Sequence, residues 1–107
     1  MSHAQIKGEA VLTNAVGLHA RPSVKLTQLA KSFAAAIEVG LSADGPWVDA
    51  KSPVKIMRVK AGKGATLHFR AHGADAAKAV AALVDLVDRR FDEEEAEAAG
   101  EGTGGAA

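Results

Sequence analysis

Residues 5–33 read QIKGEAVLTNAVGLHARPSVKLTQLAKSF, and the hydrophobic period changes once within them, across a short loop. Ile6, Gly8, Ala10 and Leu12 fall on one face of an extended segment, and Gln5, Lys7, Glu9, Val11 and Thr13 on the other. That alternation predicts a half-buried strand over about 5–12. After the loop at 14–18, Leu26, Leu29, Ala30 and Phe33 recur at offsets of three, four and seven, the stripe of an amphipathic helix over about 20–33. A strand with one apolar face running straight into a helix with one apolar stripe is the beginning of a sheet covered by helices.

The remainder continues the pattern. Ile37, Val39 and Leu41 alternate with Glu38, Gly40 and Ser42, and Asp44-Gly45 predicts a tight hairpin turn with positive backbone angles. Pro46 cannot donate to a strand ladder, so the returning strand is expected to run from Trp47 to Ala50. Ser52-Pro53 marks a helix start, with the Ser oxygen as cap and Pro at the first helical position, and predicts a short helix over about 53–59. Gly62 and Gly64 break the chain before a fourth strand at about 66–71, whose Leu67, Phe69 and Ala71 share a face. Val80, Leu83, Val84, Val87 and Phe91 then trace a last helix over about 75–91, with Asp75 near its start and Arg89 and Arg90 near its end, both suited to the helix dipole. Strands with a single apolar face need cover on that face only. The expected fold is therefore an α/β open-faced sandwich of order βαββαβα: a four-stranded antiparallel sheet with three helices, two long and one short, on one face.

Composition bounds the function. The chain has 107 residues and no Cys, which suits one small domain, taken as 1–91, and excludes a disulfide framework or a thiolate metal site. No basic-then-apolar leader opens the chain, and no apolar run approaches the roughly 20 residues of a membrane span, so the expectation is a cytoplasmic protein without membrane contact. The zero net charge conceals an asymmetry. Six of the thirteen acids lie in 92–107, which is otherwise Gly, Ala and one Thr, so residues 1–91 hold thirteen Lys and Arg against seven acids, a net of +6. The segment 92–107 has too little apolar surface to offset ordering and is expected to be a disordered acidic tail. It could shield the basic body from non-cognate encounters, although a solubilising end is the plainer role.

A basic body suits nucleic acid or acidic protein partners. Three Phe and one Trp are too few for the stacking platforms of a nucleic-acid module, so nucleic acid is set aside. His68 and His72 have a spacing that would bring them together on a helix, but on a strand four residues span about 13 Å, beyond the bridge of one metal ion. No metal site is expected, and Trp47 reads as a packing residue at a strand edge.

The chemistry concentrates where the period changes. Gly17 permits a sharp turn, His19 falls at or beside the cap of the following helix, and Pro22 is tolerated only in its first turn. The first amides of a helix, here those of Ala20 and Arg21, lack intrahelical acceptors and favour an anion. Arg21 adds a planar guanidinium able to pair with phosphoryl oxygens. Taken alone, a His in this place is more often a cap or a surface residue. Lys25, Lys51, Lys55, Arg58 and Lys60 flank the starts at His19 and Ser52; they read either as solvated helix faces or as a docking rim for acidic partners, with apolar Val54, Ile56, Met57 and Val59 among them.

Gly17-Leu18-His19-Ala20-Arg21-Pro22, preceded by Asn14, resembles the active-site signature of the HPr family, the histidine-containing phosphocarriers of the bacterial phosphoenolpyruvate-dependent phosphotransferase system. The likeness covers about residues 5–91, element order included. It implies that His19 takes a phosphoryl group on Nδ1 from enzyme I and passes it to enzyme IIA domains, as a carrier intermediate in sugar uptake rather than a free-standing enzyme. It further implies that Arg21 stabilises the phosphorylated state, that Asn14, Gly17, Ala20 and Pro22 shape the loop and helix start, and that a monomer works without cofactor or metal. A second likeness, at Asp49-Ala50-Lys51-Ser52, implies regulatory phosphorylation of Ser52 by HPr kinase/phosphorylase, although Pro53 stands where the family usually has an aliphatic residue and an ordinary capped start accounts for Ser52 equally well. The competing reading is a regulatory interaction module, nitrogen-type or kinase-regulated, that signals by its phosphorylation state and carries little transport flux.

Overall fold

The computed structural model describes residues 5–14 and 17–92. The elements are β1 (Ile6–Val11), α1 (Ala20–Lys31), β2 (Ala36–Gly40), β3 (Val48–Asp49), α2 (Pro53–Val59), β4 (Thr66–His72) and α3 (Ala76–Asp88), with a single turn of tight helix at Arg90–Asp92. They form the expected open-faced sandwich. The sheet has order β1-β4-β2-β3 and every neighbouring pair is antiparallel. Phe69 of β4 stands opposite Gly8 of β1 on one side and Val39 of β2 on the other.

The alternation along the strands sorts the two faces. Ala10, Ile37, Val39, Leu67, Phe69 and Ala71 are buried against the helices together with Leu26, Ile56, Leu83 and Val87. Gly8 carries a packing constraint: a Cβ there would lie 2.6 Å from Val80 Cγ1, so the absence of a side chain lets α3 lie close on β1. The opposite face of the sheet is polar. On it Arg70 pairs with Glu38 at 2.7 Å and stacks 4.2 Å above the Trp47 ring, and His68 faces Glu9 at 3.6 Å. Trp47 is thus the platform for a guanidinium beside the strand edge. Among the described residues no group of three His, Asp or Glu is placed to hold a metal ion, and no helix is long and apolar enough to cross a membrane.

Four local expectations need correction. The turn after β2 is not centred on Asp44-Gly45; the Gly45 amide bonds Ser42 O at 3.0 Å, so the turn spans Ser42–Gly45 and only Gly45, its last residue, has a positive φ (88°). Ser42 Oγ donates to Gly45 O at 2.8 Å and accepts from the Asp44 amide at 3.2 Å, which makes this a Ser-initiated turn. In consequence β3 is two residues long and starts at Val48 rather than Trp47. α1 ends at Lys31, and Phe33 joins the core from beyond the helix end. α3 ends at Asp88; Phe91 is fully buried, but by way of a left-handed turn with φ of 57°, 58° and 59° at Arg90, Phe91 and Asp92.

Asp75 precedes α3 yet makes no side-chain cap to its own helix. Its carboxylate accepts instead from the amides of Ala34 and Ala35, at 2.9 and 2.8 Å, fastening the start of α3 to the entry of β2. The Ala34 amide is the foremost cause that holds this carboxyl below its ordinary value. Of the acidic tail only Asp92 is described, paired with Arg89; the rest of that expectation lies outside the described residues.

Candidate functional site

The site forms where β1 hands over to α1. The chain leaves β1 beside the segment 61–65: the Leu12 amide bonds Ala65 O at 2.8 Å, and the Gly64 amide bonds Leu12 O at 2.7 Å. Asn14 is buried, and its Nδ2 donates to Gly17 O at 2.7 Å while the Gly17 amide returns to Asn14 O at 3.2 Å. The loop is thereby closed on itself from Asn14 to Gly17. Gly17 has φ +71°, and a Cβ on it would sit 2.6 Å from Ala61 O and 2.7 Å from Gly62 Cα. Glycine is required there twice over, by the backbone angle and by the close approach of the 61–62 segment. The Leu18 amide then bonds Ala61 O at 2.9 Å, and buried Leu18 anchors the loop to the core.

His19 is the N-cap residue of α1, with extended backbone (φ −108°, ψ −160°), and its carbonyl accepts from the Ser23 amide at 2.9 Å. Its side chain makes no cap hydrogen bond, and the residue is exposed. The imidazole is therefore presented to solvent at the positive end of a twelve-residue helix rather than consumed as a cap. Ala20 and Arg21 follow as the first two helical residues, both exposed, and Pro22 is buried at the third, where no intrahelical bond is lost by its missing N–H. Ala20 and Arg21 begin a shallow groove of about 340 Å³ along α1, continued by Val24, Lys25 and Gln28. The arrangement places a nucleophilic ring, anion-favouring amides and a guanidinium on one exposed ledge.

The cations named from the sequence divide into two groups. Lys25 Nζ donates to Phe91 O at 2.7 Å, and Lys51 Nζ donates to Phe33 O at 2.8 Å, so both ammonium groups fasten the chain just past a helix end, α3 and α1 respectively. Lys55 and Arg58 are exposed and line a groove of about 230 Å³ with Gly40, Leu41, Pro46, Val48 and Val59. Val24 of α1 and Val54 and Met57 of α2 are exposed apolar residues on neighbouring helices, whereas Ile56 is buried. Ser52 caps α2, its Oγ accepting from the Lys55 amide at 3.3 Å, with Pro53 as the first helical residue.

Sequence reasoning missed two residues around the site, Ser23 and Thr27, and one contact made by Arg90. Ser23 and Thr27 lie on the buried face of α1 with hydroxyls that have no hydrogen-bond partner, and the Asn14 Oδ1 is likewise buried and unpartnered among the described residues. Small polar residues carry no hydrophobic signal, so the apolar stripe passed over them. The contact of Arg90 is the other: its Nε donates to Thr13 Oγ1 at 3.1 Å across 77 positions of sequence.

Comparison with known proteins finds a matching family and similar solved structures. The model of the family described as PTS HPr component phosphorylation site covers residues 6–89. The phosphocarrier protein HPr of Cupriavidus necator is 41% identical over 90 residues, 84% of this chain and 99% of that protein. The phosphocarrier protein NPr of Escherichia coli is 34% identical over 90 residues, 83% of this chain and 98% of that one. A crystal structure of HPr from Thermoanaerobacter tengcongensis superposes with a TM-score of 0.76 at 36% identity, covering 83% of this chain and 98% of the other.

Proposed function

The chain belongs to the HPr family of phosphocarrier proteins, and from that premise we propose that His19 is its carrier residue, accepting a phosphoryl group from enzyme I and passing it to enzyme IIA domains. The observation that carries the proposal is the exposed imidazole at the start of α1, free of any capping bond. In the forward step the ring nitrogen's lone pair forms a bond to phosphorus as the donor's bond to phosphorus breaks, and the proton on the other ring nitrogen stays in place. The reverse geometry serves delivery to the acceptor histidine. Phosphoryl transfer asks mainly for positioning and charge stabilisation, which the loop closed by Asn14 and Gly17, the first amides of α1 and Arg21 supply together.

The docking surface proposed for the acidic partners is the exposed face of α1 and α2, with Val24, Val54 and Met57 as its apolar centre and Arg21, Lys55 and Arg58 as its cations. Lys25 and Lys51 act there as structural cations, given their carbonyl bonds. A regulatory reading attaches to Ser52, supported by one observation: its Oγ serves only as an acceptor, in a long bond, so the hydroxyl proton that a kinase must remove is not engaged. Incubation with ATP and purified HPr kinase/phosphorylase tests that reading; label that survives Ser52→Ala counts against it.

The experiment for the carrier reading is incubation with phosphoenolpyruvate and enzyme I. It gives an acid-labile phosphoprotein in the unaltered chain and none in His19→Ala. Equal labelling of the two would overturn it. Arg21→Lys keeps the charge but loses the planar fork, and is expected to slow transfer without removing the phosphorylation site.

A further inference from the structure

The end of α3 reaches back to the phosphorylation loop by two routes. Arg90 Nε donates to Thr13 Oγ1 at 3.1 Å, one residue before the Asn14 that closes the loop. Lys25 Nζ of α1 donates to Phe91 O at 2.7 Å, and the Phe91 side chain is fully buried. The turn therefore touches the chain on both sides of His19, at Thr13 before it and at α1 after it. Its conformation is costly in itself: three consecutive residues with side chains at φ between 57° and 59° each stand about 1–2 kcal/mol above a right-handed conformation. Such a turn persists where the surrounding structure holds it, here by the Phe91 ring and by the Arg89 pairs to Asp85 and Asp92.

We propose that the turn Arg90–Asp92 is a clasp on the phosphorylation loop and that Arg90 is a positioning residue for His19, acting through Thr13. The loop is backed by the bonds to 61–65, and Arg90 supplies a further, side-chain hold on its first residue. With Thr13 fixed, Asn14 is fixed, and with it the Gly17 carbonyl that sets where α1 and the imidazole begin. Losing the clasp leaves the core intact and lets the loop sample more positions, so the cost falls on the rate of transfer rather than on encounter with the donor. The inference rests on His19 as the carrier, and the loop-order arm below is independent of that reading.

The test uses Arg90→Gln and Thr13→Val, singly and together, with Lys78→Gln as a charge control in the first turn of α3, about 15 Å of helix from its end at Asp88. Two quantities are read: phosphoryl acceptance against donor concentration, and amide hydrogen exchange at Gly17 and Leu18 with no donor present. Each single variant is expected to lower the saturated rate about three- to tenfold with KM within about twofold, and to speed exchange at both amides, because positioning is worth up to orders of magnitude in rate. The double variant should be no worse than either single one, since both break one contact. Lys78→Gln should behave as the unaltered protein. Unchanged rates with faster exchange confined to residues 88–92 would overturn the proposal, as would a change in KM alone or full additivity. If no variant, nor the unaltered chain, accepts phosphate, the carrier reading fails by itself. The clasp then stands or falls on whether exchange at Gly17 and Leu18 accelerates.

Discussion

Replacing Gly17 by Ala should damage this protein more than its one methyl group suggests. The φ of +71° costs a residue with a side chain about 1–2 kcal/mol. The new Cβ would also stand 2.6 Å from Ala61 O and 2.7 Å from Gly62 Cα, both backbone atoms that cannot rotate away. Relief requires the loop and the 61–62 segment to separate, which weakens the Leu18 N–H to Ala61 O bond, worth about 1 kcal/mol net. The sum is a loss of about 2–3 kcal/mol, or a fall in Tm of about 10–20 °C for a domain of this size. Gly62→Ala is the matched control, because no atom lies within 4 Å of a Cβ there and its backbone angle is ordinary; it should change stability by less than about 0.5 kcal/mol. Calorimetric unfolding of the two variants decides the matter. A Gly17→Ala protein melting within about 3 °C of the unaltered one, or indistinguishable from Gly62→Ala, would refute the loop's described approach to residues 61–62.

Other consequences can be checked with the same preparations. Ser23→Ala removes a buried hydroxyl that has no partner among the described residues and places a better helix former in α1, so it should leave stability unchanged or raise it by up to about 1 kcal/mol; a clear loss would contradict this. Asp75→Asn should lower Tm at neutral pH. The Asp75 carboxyl is held below its ordinary 3.8, chiefly by the Ala34 amide, so its contribution is fully present above that value and is lost as the pH falls through the lowered one. The gap between the two proteins should therefore close on acidification below about 3.8, and a gap that widened there would contradict the assignment. Ser52→Ala removes the cap of α2 and should cost about 0.5–1 kcal/mol, at the low end for caps because the bond is 3.3 Å long.

How much of this was legible depended on how local each signal was. The strand periods and the Ser52-Pro53 start are written in neighbouring residues, and the fold they predict is the one found. The signature from Asn14 to Pro22 is equally local, and the structure adds why Gly17 must be glycine: the neighbour that excludes a Cβ, Ala61, is 44 positions away and invisible from the loop's own sequence. The helical period marks Phe91 as a core residue, as it is, but gives it the wrong backbone, because a period identifies burial while a left-handed turn lacking glycine leaves no mark in composition. Asp75 reads as a residue at a helix start suited to the dipole, and it stands there, but its carboxylate accepts from amides 40 and 41 residues earlier, which nothing local announces. Lys25 and Lys51 resemble every other surface cation in the sequence; only the positions of two carbonyls, Phe91 and Phe33, show that their ammonium groups hold the fold together.

The central claim is tested most directly by nitrogen and phosphorus NMR of the protein labelled at its histidines, recorded during incubation with phosphoenolpyruvate and enzyme I. The account predicts a new phosphorus resonance coupled to Nδ1 of His19, with the His68 and His72 ring signals unchanged. A phosphoryl group found on any other side chain, or no coupling at His19 while the protein still relays phosphate to an enzyme IIA domain, would contradict it.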